Sequence, residues 1–175
     1  MRYRVCKSFE VETGHMLSKH PGRCRFPHGH SRRIDIVISA ETLDGMDMVC
    51  DFKALKLAVA DYIDSYDHAM AINAADPSVE TLRTASRTNG SPELDADGAR
   101  DDENRLIILE GEDPTTEVLA RRIFQHVSSV VAGGGSFTDD RGNIFTLRTG
   151  LTLERVRVTE TSSSWAEYGV DAPHA

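Results

Sequence analysis

The stretch His30-Ser31-Arg32-Arg33-Ile34-Asp35-Ile36-Val37-Ile38-Ser39-Ala40-Glu41 alternates apolar and polar residues through Ile34, Ile36 and Ile38. That period of two is the mark of a strand with one buried face. Upstream, residues 2–13 alternate in the same way through Tyr3, Val5, Phe9 and Val11. A loop rich in Pro, Gly and Arg, Ser18 to Pro27, separates the two runs. They read as an antiparallel pair joined by a long connection. Downstream, Asp51 opens a helical pattern. Phe52, Leu55, Val59 and Ile63 recur at spacings of three and four, and Asp51 can cap the first turn.

Residues 75–104 lose all periodicity, and Glu93 to Glu103 alone carries six acids and one Arg. The segment reads as a surface insertion that supplies most of the negative charge, with an acidic docking segment as the functional alternative. Order returns at Leu106-Ile107-Ile108-Leu109, a short apolar strand. Asp113-Pro114 then predicts a helix start, with Asp as cap and Pro at the first helical position. Its buried stripe is Leu119, Ile123, Val127 and Val130, and Gly133-Gly134-Gly135 ends it. A hairpin fits 136–149 with its turn at Asp140 to Asn143, and a last strand runs from Leu151 to Thr161. Strand, strand, helix, strand, helix, strand predicts an α+β domain on an antiparallel sheet.

The 175 residues suffice for one domain with a real core. Twenty Lys+Arg against 28 Asp+Glu give a net charge of -8, which argues against a broad nucleic-acid-binding face. Cys6, Cys24 and Cys50 form no C-x-x-C pair and are odd in number, so a disulfide framework is not expected. The first residues lack a signal peptide's apolar run, and no stretch approaches a membrane span. The expectation is a cytoplasmic protein.

Chemistry concentrates in Cys24-Arg25-Phe26-Pro27-His28-Gly29-His30. Residues i and i+2 of a strand share a face, so His28 and His30 can aim both imidazoles at one point. His15, at the end of the first strand, can join them. Three neutral imidazoles leave the fourth tetrahedral position of a zinc ion open, as catalytic zinc requires; otherwise the pair is a polar turn. Cys24 can act as base or nucleophile, can serve as a fourth ligand that closes the site, or can be an inert small side chain. Asp67-His68 can relay protons if the pair meets, although neighbours in an extended segment point apart. Glu160, late in a strand built for burial, needs a partner. It can meet a ligand edge with two parallel N–H donors or form a salt bridge to Arg155 or Arg157.

These residues together resemble the 6-pyruvoyltetrahydropterin synthase and 6-carboxytetrahydropterin synthase family. The resemblance rests on Gly14-His15, Cys24 with His28-Gly29-His30, Asp51-Phe52-Lys53-Ala54-Leu55-Lys56, Asp67-His68, Pro114-Thr115-Thr116-Glu117 and Val158-Thr159-Glu160-Thr161, in the family's order. It implies a tunnelling fold, a four-stranded antiparallel sheet with two helices on one face, over residues 1–175 with insertions at 75–104 and 133–149. It implies a homo-oligomer, trimer or hexamer, with sites between subunits. His15, His28 and His30 would bind Zn2+, Cys24 would be the catalytic thiol, and Asp67 and His68 would come from a neighbouring subunit. Glu160 would anchor the pterin, with Thr115, Thr116 and Glu117 close by.

The implied substrate is a small-molecule pterin triphosphate, 7,8-dihydroneopterin triphosphate. Lys19, Arg23, Arg25, Arg32 or Arg33 would supply charge for the triphosphate. The implied reactions are cleavage to 6-carboxy-5,6,7,8-tetrahydropterin or formation of the 6-pyruvoyl product. The three residues between Cys24 and His28 match the shorter gap of the carboxy-forming enzymes. A non-catalytic zinc- and pterin-binding homologue and a purely structural zinc domain are the competing readings. Lys53-Ala54 departs from the family's frequent Gly and acid at those positions.

Overall fold

The computed structural model describes residues 1–88 and 105–170. Two 13-residue strands form its backbone, β1 (Tyr3–His15) and β2 (His28–Ala40), paired antiparallel without interruption from Tyr3↔Ala40 to His15↔His28. Odd residues of β1 and even residues of β2 share one face. Val11, Ile34, Ile36 and Ile38 are at most 4% exposed there, while Glu10, Glu12, Ser31 and Arg33 lie exposed on the other. Each fully buried Ile contributes about 1.5–3 kcal/mol relative to leaving it in water.

β7 (Thr152–Thr159) pairs antiparallel with β2, and a one-residue shift opposite Val37/Ile38 resets its phase so that Val156 and Val158 join the same buried face. Two helices cover that face, α1 (Phe52–Asp64) and α3 (Thr116–Gly133). Ala54, Leu55, Val59 and Ile63 of α1, with Leu119, Ala120, Ile123 and Val127 of α3, complete one core. Asp51 caps α1 as its sequence predicts, accepting a hydrogen bond from the Lys53 N–H at 2.7 Å.

The sheet itself departs from the expected four antiparallel strands. Among the described residues it has six, ordered β4-β3-β1-β2-β7-β8, and it is mixed. β3 (Ala69–Asn73) runs parallel to β1 over Thr13–His15, and β4 (Leu106–Leu109) runs parallel to β3. α1 forms the crossover that returns the chain to the far side of β1, which makes the β1–β3 pairing parallel. β8 (Trp165–Gly169) closes the other edge, antiparallel to β7.

Two helices become three among the described residues, because part of the expected insertion folds. α2 (Val79–Thr88) sets Val79 and Leu82 against Met16, Ile72 and Ile108, a second small core over β3 and β4. The remainder of that insertion, 89–104, lies outside the described residues. Residues 135–147 form the anticipated hairpin, β5 (Gly135–Thr138) and β6 (Ile144–Leu147), packed on α1.

α3 starts later than Asp113-Pro114 indicates. Thr115 is the cap, its hydroxyl accepting from the Val118 N–H. Asp113 is 6% exposed and is engaged elsewhere, accepting from the Ser18 hydroxyl, the Lys19 N–H and the Asn73 side-chain amide. Three tertiary donors outweigh one local cap. No helix among the described residues is long and apolar enough to cross a membrane.

Candidate metal centre

The parity that buries Ile34 and Ile36 continues toward the start of β2 through Arg32, His30 and His28. On β1 the same face ends at Thr13 and His15, and beyond β7 it reaches Glu160. The core-facing side of the sheet thus becomes polar at one end, beside the start of α3. There His15, His28, His30 and Glu160 each offer one ligand atom, all within 4.8 Å of one another. Direct opposition of His15 and His28 across the β1–β2 pair explains the first contact, with their Nε2 atoms 3.0 Å apart.

The other ring nitrogens are oriented by backbone carbonyls, which can only accept. His15 Nδ1–H donates to the Pro114 carbonyl and His28 Nδ1–H to the Phe26 carbonyl, both at 2.8 Å. In the neutral rings this leaves the two Nε2 lone pairs facing each other, with Arg32 Nη2 3.4 Å from that of His15. His30 Nε2 is buried without a hydrogen-bond partner, 3.4 Å from Glu160 Oε1. Converging lone pairs and an orphaned ring nitrogen are what a cation resolves, and nitrogens about 3 Å apart fit Zn–N bonds of about 2.0–2.1 Å. The residues present therefore fit a zinc ion. Burial pushes the His15 pKa down to about 4, with Arg32 adding to the shift, and burial also lowers that of His30. Such rings stay neutral at neutral pH, the form that ligates metal.

Glu160 makes neither expected salt bridge, since Arg155 and Arg157 both pair with Glu167. Its Oε2 instead accepts from the Thr116 hydroxyl, and Arg32 Nη1 stands 3.6 Å away. Thr116 is thereby brought to Glu160. Thr115 commits its hydroxyl to capping α3, and Glu117 is exposed in the first turn. Arg32 is the residue whose place the sequence hides. Considered as a surface cation for triphosphate, it is 2% exposed, donating to Thr116 Oγ1 at 2.8 Å and to the Thr159 carbonyl at 3.2 Å. Its even position on β2 was the available signal.

Cys24 lies half-buried in a 3₁₀ turn, Arg23–Arg25, tied to the end of β1 by a Leu17 N–H donation to the Cys24 carbonyl at 2.9 Å. The fourth member of the metal-capable group is Glu160, not Cys24. Asp67 and His68 do meet: His68 Nδ1 and Asp67 Oδ2 are 2.9 Å apart, while Asp67 Oδ1 accepts from the Glu12 N–H at 2.8 Å. His68 takes a left-handed backbone, φ 54°, which folds its side chain back onto its neighbour. The Glu12 N–H, with smaller help from His68, holds the Asp67 carboxyl below its ordinary range against the opposing effect of burial. His68 and His30 border one open cleft of about 430 Å³ with Thr13, Gly14, Gly29 and Met70. At Gly14 a Cβ would come within 3.0 Å of the Met70 sulfur, so a larger residue there would have to push that flexible side chain aside by a few tenths of an ångström.

A profile of the 6-pyruvoyl tetrahydropterin synthase family matches residues 4–171. A 6-carboxy-5,6,7,8-tetrahydropterin synthase of Haemophilus influenzae is 31% identical, over 95% of this chain and 98% of its own length. Its counterpart in Aquifex aeolicus is 27% identical over 54% of this chain and 67% of that protein. The Rickettsia conorii protein of the same name is 32% identical over 42% of this chain, a match that spans 54% of that relative. Among solved structures, an uncharacterized protein from Wolinella succinogenes superposes with a TM-score of 0.69 at 17% identity, covering 98% of this chain and 99% of that one. The 6-pyruvoyl tetrahydropterin synthase of Caenorhabditis elegans gives 0.58 at 16% identity, covering 98% and 97%. At these identities the two structures share the fold.

Proposed function

The chain belongs to the 6-pyruvoyl tetrahydropterin synthase family, and from that premise we propose that it is a zinc-dependent lyase converting 7,8-dihydroneopterin triphosphate and water to 6-carboxy-5,6,7,8-tetrahydropterin, acetaldehyde and triphosphate. The observation that carries the reading is the convergence of His15, His28 and His30 beside Glu160 at one end of the sheet. Three imidazoles would hold the metal, through Nε2 of His15 and His28 and a nitrogen of His30. Zinc bound there would supply Lewis-acid polarisation of the substrate's side-chain hydroxyls. The Glu160 carboxylate accepts from the two parallel N–H donors of the pterin's amidine edge, a bidentate match of charge and shape.

Proton movement falls to Cys24 and to the Asp67–His68 pair. With Nδ1–H held by Asp67 Oδ2, the His68 Nε2 is free to take and return a proton, the arrangement of a carboxylate-oriented base. His68 is 72% exposed in the single chain, as a group serving a site completed by a second copy would be. Assembly as a homo-oligomer, trimer or hexamer, is part of this proposal.

The choice of the carboxy product rests on the three-residue gap between Cys24 and His28 and on the names of the Haemophilus and Aquifex relatives. Zinc-loaded protein incubated with 7,8-dihydroneopterin triphosphate, with acetaldehyde trapped and pterins identified by mass spectrometry, tests it. Acetaldehyde in step with the carboxypterin is expected. A 6-pyruvoyl product without acetaldehyde assigns the other family activity, and unaltered substrate makes the chain a binding homologue.

A further inference from the structure

Arg32 stands two residues beyond His30 on the face of β2 that carries the cluster, and none of the chemistry above uses it. At 2% exposure it heads the largest fully buried side chains. A charge so placed must be balanced by its surroundings. Its Nη1 serves Thr116 Oγ1 and the Thr159 carbonyl and lies 3.6 Å from Glu160 Oε2. Its Nη2 is 3.3 and 3.4 Å from the two nitrogens of His15, and its Nε is buried with no partner. The guanidinium is thus wedged between the histidine cluster and the Glu160 carboxylate. Thr116 links the two, accepting from Arg32 and donating to Glu160 Oε2.

Glu160 is balanced between two uses. Its Oε1 lies 3.4 Å from His30 Nε2 and 3.8 Å from His15 Nε2, close enough that a small rotation would add it to the ligand set. Three histidines and a carboxylate close a tetrahedral site, and a closed site is structural rather than catalytic. The pull of Arg32 and Thr116 on Oε2 acts in the opposite sense.

We propose that Arg32 is a positioning residue that restrains Glu160 from closing the metal's coordination, leaving that carboxylate for the N–H edge of the pterin and a coordination position for substrate. The inference rests on the metal and pterin reading given above. Its test compares wild type, R32M, R32K and R32M/E160Q. Zinc affinity is read by competition with a chelator, coordination by the visible spectrum of the cobalt-loaded protein, and pterin affinity by calorimetry with neopterin.

R32M should bind zinc about tenfold more tightly, since it releases the Glu160 carboxylate as a fourth ligand, and a unit negative charge that close to the ion attracts it strongly even at a high effective dielectric constant. Its cobalt spectrum should change with the added carboxylate, and neopterin should bind more weakly. Adding E160Q should abolish both the gain and the spectral change, and R32K, which retains the charge, should recover most of the wild-type behaviour. Folded R32M with unchanged or weaker zinc binding overturns the inference. So does a gain that survives E160Q, which would reduce Arg32 to simple charge repulsion. Should R32M not fold, T116V carries the same test in the same direction, and an unchanged zinc affinity there overturns it. A wild-type protein that takes up no zinc refutes the functional reading itself, a separate outcome.

Discussion

His15 Nε2 and His28 Nε2 face each other at 3.0 Å, and each ring has already given its Nδ1–H to a backbone carbonyl. Two lone pairs at that distance repel unless a cation lies between them. The carbonyls of Pro114 and Phe26 therefore act as orienting partners that fix which nitrogen each histidine offers.

Metal content follows directly. Wild type should carry about one zinc per chain, and His28→Ala should lose most of it, because one of three ligands is gone and the lone pair of His15 has no counterpart. Full retention of zinc by His28→Ala, measured by metal analysis after dialysis, would remove His28 from the site.

Cys24→Ala should keep its zinc and its fold and lose turnover by about 10²-fold or more, the usual scale for a positioned acid or base. The thiol lies outside the metal-capable group, whose fourth member is Glu160. A variant that sheds its metal would make Cys24 a ligand after all.

Asp67→Asn tests the proton relay. One oxygen can still accept from the Glu12 N–H, but the amide would then present N–H to His68 Nδ1 and force the ring into its other tautomer. Turnover should fall by about 10²–10⁴-fold with zinc content and pterin affinity unchanged. Wild-type turnover would show that the pair takes no part in the reaction.

Much of this site was legible in the sequence. Period-two alternation places His28 and His30 on one face, and an antiparallel partner ending at His15 delivers the third ring. What escaped was set by distant contacts. Ala69-Met70-Ala71-Ile72-Asn73 is short and lacks alternation, and it becomes a strand only because β1 and β4 flank it. Trp165–Gly169 lies on an exposed edge and carries no core pattern. Only Val79 and Leu82 mark α2 as amphipathic. Arg32 reads as a solvated cation until Glu160 and Thr116, far along the chain, are folded against it.

Glu160→Gln in zinc-loaded protein should weaken pterin binding by roughly 1–3 kcal/mol, since a charge-assisted bidentate contact becomes a mismatched one. Calorimetry with neopterin measures it. Equal affinity would transfer Glu160 from pterin recognition to a purely internal role with Arg32 and Thr116.

Asp113 offers a pH test away from the metal ligands. Its carboxylate joins the loop after β1, through Ser18 and the Lys19 N–H, to Asn73 at the end of β3, just before the start of α3. Burial pushes its pKa upward, but the donors from Asn73, Lys19 and Ser18 outweigh that and hold it below the ordinary 3.8. A carboxyl whose folded pKa is depressed binds its proton more readily when unfolded. Its contribution to stability is therefore fully present above the unfolded value and is lost as pH falls through the folded one. Asp113→Asn keeps the volume but turns an amide toward donors, so at pH 7 it should cost roughly 1.5–3 kcal/mol, the scale of hydrogen bonds to a charged group. The gap between the two proteins, taken from urea unfolding at a series of pH values, should stay constant down to about pH 5, begin to narrow as pH approaches the ordinary 3.8 and narrow further below it. A gap independent of pH would show that the charge of Asp113 contributes nothing. A gap that widens in acid would mean that burial, not the three donors, dominates the carboxyl.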